Sequence, residues 1–180
     1  VSDSDHGSAT DDDDCHGSPA STPPPSRSAF TVRAGRLPPD QPATTAAERR
    51  RLHSSARILY DEYNALVFNS RLPRDLEVSW NSRLRKTAGF CVLLPERDGA
   101  RAAKIELSSH VLDRPDRLRQ TLAHEMCHAA AWVISRAKKP PHGDDFWRWA
   151  HVFMQKAPGI VISRCLSYEV FSRLRYECGA

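Results

Sequence analysis

From Thr45 onward apolar side chains return every three or four residues, with Leu52, Ala56, Leu59, Tyr60, Tyr63, Leu66 and Val67 falling on one helical face. That spacing predicts an amphipathic helix over about 46–68. The period then shortens to two. Leu76 to Trp80 alternates apolar and polar residues after a proline-containing turn, and Ala88 to Leu94 is a nearly continuous apolar run closed by Pro95. After the turn-like Glu96 to Gly99, Ala103 to Leu107 alternates again, so three strands are expected. Asp113 then stands ahead of a second helical stretch from Pro115 through Val133 and Ile134, with proline suited to a first helical turn. This helix must stop before Pro140 and Pro141, which remove donors and restrict the residues before them. A third helix is expected to begin near Gly143 to Asp145, to present Phe146, Trp149, Ala150 and Phe153, and to end at Pro158 and Gly159. Tyr168 to Tyr176 alternates as a last strand. The order predicts an α+β domain, with a small sheet formed before the second helix arrives.

Composition adds the boundaries. The chain of 180 residues suits one domain with tails. Residues 1 to 44 are rich in Asp, Ser, Thr and Pro and nearly lack large apolar side chains, so they are expected to be a disordered acidic tail. The domain proper is expected over 45–180. No run of eighteen apolar residues occurs and the N-terminus lacks a secretory pattern, so a soluble, non-secreted protein without a membrane partner is expected. Val1 and the closing Cys178, Gly179, Ala180 look like cut points in a longer chain. The five cysteines are odd in number and scattered, which argues against a disulfide scaffold and for the cytosol or nucleus. The first 20 residues carry six Asp and no Lys or Arg, so a basic domain follows an acidic tail within the net charge of +4. Arg outnumbers Lys by 21 to 5, and guanidinium groups suit bidentate phosphate contacts, which brings nucleic acid forward as a partner. A solvated basic face without a ligand is the alternative.

The chemistry centres on His124, Glu125, Met126, Cys127, His128, an H-E-x-x-H pattern on the second predicted helix. Four residues turn a helix by about 400°, so both imidazoles emerge on one face and can reach one metal ion. Glu125, one residue round, can approach an activated water without coordinating the ion, as a general base must. The ion implied is Zn2+ and the natural reaction is peptide hydrolysis. Two core histidines satisfied by backbone groups are the bland alternative. A catalytic zinc needs a third protein ligand, and His142, separated from His128 by thirteen residues and placed after the two prolines, is the choice. His151 competes, although its place among aromatic residues of the third helix favours a core or supporting role. Asp144 and Asp145 either orient a ligand imidazole or serve the start of the third helix. Cys127 is expected to be an inert core thiol. Cys178, in Tyr-Glu-Cys-Gly, looks like the opening of a zinc ribbon whose other ligands would lie beyond Ala180.

Taken together, Leu59-Tyr60-Asp61-Glu62-Tyr63-Asn64, Phe68-Asn69, Leu72-Pro73, Trp80, Arg85-Lys86-Thr87-Ala88-Gly89, His124 to Ala130 and His142-Gly143 with Phe146 resemble the SprT-like metallopeptidase family, which includes the Spartan protease. Within it the chain is similar to the germ cell nuclear acidic peptidase branch. The resemblance implies a zincin-like fold with a small mixed sheet packed on the motif helix, zinc ligands at His124, His128 and His142, and Glu125 as catalytic acid and base. It also implies proteolysis of proteins crosslinked to DNA, and a nuclear location. For DNA contacts, Arg83, Arg85 and Lys86 cluster between two predicted strands, with Trp80 as a stacking surface suited to single strands or as a core residue. Arg136, Lys138 and Lys139 follow the metal helix. The third strand, around Lys104 to Leu107, is expected to pair with an extended substrate backbone. Two rivals stand beside the peptidase: a DNA-binding or scaffold module that keeps zinc without turnover, and a zinc hydrolase of non-protein substrates.

Overall fold

The computed structural model describes residues 42, 43, 45–137, 142–164 and 168. The expected acidic tail, Lys138, Lys139, Cys178 and the expected strand beyond Tyr168 lie outside the described residues. Helix α1 (Ala46–Leu66) is followed by strands β1 (Glu77–Asn81), β2 (Gly89–Leu93) and β3 (Ala103–Ser108), then helices α2 (Pro115–Val133) and α3 (Asp144–Lys156). Helix α1 opens on a reciprocal cap. The Thr45 hydroxyl accepts from the Glu48 N–H at 3.2 Å and the Glu48 carboxylate accepts from the Thr45 N–H at 2.9 Å, satisfying two donors that a helix start otherwise leaves open. At its far end Asn64 is buried and bonds Leu72 twice, through its amide N–H to the carbonyl at 2.9 Å and from the N–H at 3.1 Å. That pair fixes the path by which the chain turns back toward the sheet.

The three-stranded sheet has the order β1-β3-β2, with β3 parallel to β1 and antiparallel to β2. This corrects one expectation. Strand β3 has neighbours on both sides and offers no edge to a substrate. Its Ile105 and Leu107 are 0% exposed, and a strand this apolar on one face takes the centre, where both its edges are covered. Strand β2 lies at one edge instead. The Ser108 N–H donates to the Ala88 carbonyl and the Leu94 N–H to the Ala102 carbonyl, so the even-numbered positions of β2 face β3. The odd-numbered Gly89, Cys91 and Leu93 therefore turn their backbone groups away from β3, to a side where no strand pairs among the described residues.

Helix α2 runs beneath β2 and β3 and between α1 and α3. Every residue from Thr121 to Cys127 is buried, so the motif lies in the middle of the core. Pro115 occupies the first turn as expected, but Asp113 is not its cap. Arg114 holds the capping position with no side-chain bond to the open helix N–H groups, its guanidinium pairing instead with Asp116 at 2.8 Å, and Asp113 pairs with Arg117 at 3.2 Å. At the other end, the Arg101 guanidinium lies 3.9 Å over the Trp132 ring and donates to the Ala137 carbonyl at 3.0 Å. The Trp132 N–H donates to the Ala102 carbonyl at 3.1 Å, so the β2–β3 hairpin is tied to the C-terminus of α2.

Gly89 marks the closest approach of sheet and helix. A Cβ there would lie 2.8 Å from the Glu106 carbonyl oxygen and 3.1 Å from the Thr121 methyl. Gly89→Ala must push β2 off either β3 or α2, and a loss of about 1–3 kcal/mol in denaturant unfolding is expected, as for overpacking elsewhere. An unchanged midpoint would mean that the sheet edge yields freely.

Candidate metal centre

His124 and His128 stand one turn apart on α2, and His142 enters from the turn that precedes α3. The Nε2 atoms of His128 and His142 lie 3.1 and 3.2 Å from the Nε2 of His124. The three ligand atoms fall within 4.8 Å of one another. Tetrahedral zinc with bonds of about 2.0–2.1 Å would separate its nitrogens by roughly 3.4 Å, so the spacing fits such an ion. Phe146 of α3 forms the floor. It is 1% exposed, and its ring centroid lies 5.0, 4.5 and 4.8 Å from those of His124, His128 and His142. A helix start that brings His142 in at its head therefore also delivers, one turn later, the apolar surface on which all three imidazoles rest.

Electrostatics favour the ligand-competent state. Burial, with the neighbouring His142 and against the Ser163 backbone, pushes His124 down to about 4. Burial and then Arg164 also lower His142. Neutral imidazoles are what a metal needs, since no proton must first be displaced. The Nδ1 of His124 is buried and makes no short hydrogen bond among the described residues; the Ser163 backbone is the polar group that acts on this ring.

Glu125 is 5% exposed, and burial raises its carboxyl to about 8 against the opposing Cys91 N–H, which donates to it. That N–H belongs to the open edge of β2, so the sheet edge itself holds the carboxylate beside the histidines. Cys127 is buried, its thiol pushed far up by the same desolvation, which agrees with an inert core role. Cys91 likewise has its thiol raised by burial and by Glu125.

His151 is corrected outright. It is exposed on α3, because the buried face of that helix is Phe146, Ala150 and Phe153 and residue 151 falls outside it. It neither joins the three histidines nor packs in the core. Asp144 and Asp145 occupy the first turn of α3, where carboxylates suit the helix dipole, and Asp145 pairs with Arg148. Arg136 pairs with Glu96 at 2.6 Å and donates to the Gly99 carbonyl at 3.2 Å, while its side chain stays exposed. Trp80 stacks on His53 at 3.9 Å and 13° and donates its indole N–H to the His53 carbonyl at 3.3 Å. One ring face is thus taken by α1. Arg83, Arg85 and Lys86 are exposed on the loop between β1 and β2, which Ser108 holds by donating to the Leu84 carbonyl at 2.6 Å.

Cys91 and Ser163 leave no mark in the residue pattern, because both reach the site through backbone groups that any residue supplies.

A family model described as SprT-like matches residues 56–166. The chain is 37% identical over 125 residues to the human germ cell nuclear acidic protein, a match covering 67% of this chain and 18% of that one. It is 40% identical over 124 residues to the Drosophila melanogaster germ cell nuclear acidic protein, covering 68% and 12%. An HMG box-containing protein of Schizosaccharomyces pombe is 34% identical over 122 residues, covering 62% and 34%. The match therefore spans about a third or less of each of these relatives.

Proposed function

Because the chain belongs to the SprT-like family, a metallopeptidase-related family, we propose that it is a zinc-dependent endopeptidase cleaving proteins bound or crosslinked to DNA in the nucleus. The carrying observation is the convergence of His124, His128 and His142 with a buried Glu125 beside them. Zinc, when held by the three imidazoles, supplies the Lewis acid that activates water and polarises the scissile carbonyl. The rest belongs to the chain. Glu125, whose carboxylate a bound dication would favour over the protonated form that burial alone holds up to about 8, takes a proton from the attacking water and passes it to the departing amine. Phe146 keeps the floor of the site dry and the imidazoles aligned. The edge of β2 turned away from β3 replaces β3 as the place where an extended substrate backbone adds as a strand, through the backbone groups of Gly89 and Leu93 on either side of Cys91, whose own N–H is held by Glu125. Main-chain pairing of this kind accepts many sequences, as a repair protease requires.

DNA enters through the loop that leads directly into that edge. Lys86 precedes Cys91 by five residues, so it lies within roughly 17 Å of the catalytic level at about 3.3 Å per residue. A single strand whose phosphates are held by Arg83, Arg85 and Lys86 would place an attached protein along β2 at high effective concentration. The relatives named as germ cell nuclear acidic and HMG box-containing proteins support the nuclear, DNA-associated setting.

The test is incubation of the zinc-loaded chain with a protein crosslinked to a single-stranded oligonucleotide and with the same protein free. Preferential, chelator-sensitive cleavage of the crosslinked form is expected; no cleavage of either would favour a scaffold that keeps zinc without turnover. Arg85→Ala with Lys86→Ala is expected to weaken single-strand binding about tenfold at moderate salt and to flatten the salt dependence by roughly two phosphate contacts. Unchanged affinity in a fluorescence titration would remove this loop from the DNA path.

A further inference from the structure

Tyr168 lies on the helix face that carries the metal ligands, one turn short of them. Arg117, Thr121, His124 and His128 are spaced four, three and four residues apart, so they form a single stripe along α2. The Tyr168 hydroxyl is 3.4 Å from the Thr121 hydroxyl and 3.5 Å from the Gln120 side-chain oxygen, and the Arg117 guanidinium stands 5.3 Å from the centre of its ring. Strand β2 runs in step with this stripe. A Cβ on Gly89 would meet the Thr121 methyl, while the Cys91 N–H meets Glu125, so two strand residues match four helical ones, about 6–7 Å in each case.

A substrate strand added to β2 turns the side chain of its residue opposite Gly89 toward α2, because directly paired residues share a face of the sheet. That side chain does not reach Thr121, which is 0% exposed. It meets the partly exposed Tyr168 and Gln120 instead. Both polar contacts of the phenol lie at the outer limit of hydrogen bonding, so its hydroxyl and the Gln120 carboxamide keep capacity for a further polar group. Burial holds the phenol above its ordinary value, so it remains a neutral donor at any working pH. We propose that Tyr168, with Gln120, forms a subsite that selects an uncharged hydrogen-bonding side chain, such as glutamine, over an apolar one at the substrate residue opposite Gly89. The inference rests on the peptidase reading and deepens it: pairing along β2 accepts many sequences, and this contact gives one position a preference.

Short peptides carrying glutamine, leucine or alanine at each inner position in turn are offered to the zinc-loaded wild type and Tyr168→Phe for cleavage. Their binding is measured by fluorescence anisotropy on the same two proteins carrying Glu125→Gln. At one position glutamine is expected to raise kcat/KM about fivefold over alanine and leucine, the usual worth of one neutral hydrogen bond, and to tighten binding by a similar factor. In Tyr168→Phe both ratios should fall to near one at that position while bound zinc and Tm stay as in wild type, a change that a merely structural tyrosine would not produce. Absence of any such position, or a glutamine preference that survives in Tyr168→Phe, would overturn the proposal. Peptides that bind with the preference but are left uncleaved by wild type would count against the peptidase reading alone. Peptides that neither bind nor are cleaved would overturn both.

Discussion

Glu125→Gln is expected to lower proteolysis by about a thousandfold, to leave zinc bound, and to make the metal-stripped protein more stable at pH 8.5. The first effect is the loss of the proton carrier, within the range that general acid–base groups contribute. The second follows from geometry. The three imidazoles rest on Phe146, and glutamine keeps an oxygen that can accept from the Cys91 N–H. The third follows from linkage. In the folded chain burial holds the carboxyl at about 8, against an ordinary value of 4.5. Between those pH values the folded state keeps a proton that the unfolded state releases, so stability falls as pH rises through that window and the full cost stands above it. Glutamine abolishes that slope. Thermal melts of stripped wild type and variant at pH 6 and 8.5 should therefore diverge at the higher pH, whereas zinc loading, by favouring the carboxylate, should narrow the gap. On the acid side, His124 is held down at about 4 from 6.5, so both stripped proteins should lose stability together as pH falls through that interval. An active Glu125→Gln protein would remove Glu125 from the chemistry, and one that no longer binds zinc would make it a ligand.

Phe146→Ala should cost about 3–5 kcal/mol, the usual range for emptying a buried phenylalanine site. For a domain of this size that is a fall in Tm of roughly 10–20 °C. Phe153 provides the control. It is 0% exposed but packs on Tyr63 and Phe68 at 4.9 and 5.9 Å, away from the histidines. Phe153→Ala should lose similar stability yet keep zinc affinity near that of wild type, while Phe146→Ala should lose both, because its cavity opens beneath all three imidazoles. Equal zinc affinities in the two folded variants would show that Phe146 supports the fold without organising the metal centre.

The elements themselves were legible along the chain, because helices and strands write their burial into periods of 3.6 and 2. Strand β3 began at the expected Ala103 and ended one residue later, at Ser108. Helix α2 began at the expected Pro115. The metal-binding half of the motif was legible for the same reason: His124, Glu125 and His128 are set by a single helical turn, so local geometry suffices. His151 differs from its expected place because the spacing of Phe146, Ala150 and Phe153 turns it away from the buried face of α3, and nearness in sequence to aromatic residues does not bury a side chain.

What local pattern could not carry was anything decided by which elements become neighbours. Strand order is one case. β1 pairs with β3 and not with β2, so the strand expected to receive substrate sits at the centre and the edge passes to β2. Arg136 and Trp80 are another, since the partners they meet, Glu96 and His53, lie far from them in the sequence. The supports of the site, the Cys91 N–H and the Ser163 backbone, leave no trace in residue identity at all. The sequence by itself determined the elements and the reactive side chains carried on one helical turn; the tertiary structure alone decided which backbone edge faces them and which charged groups meet a partner, because those depend on contacts between segments whose spacing in the chain is arbitrary.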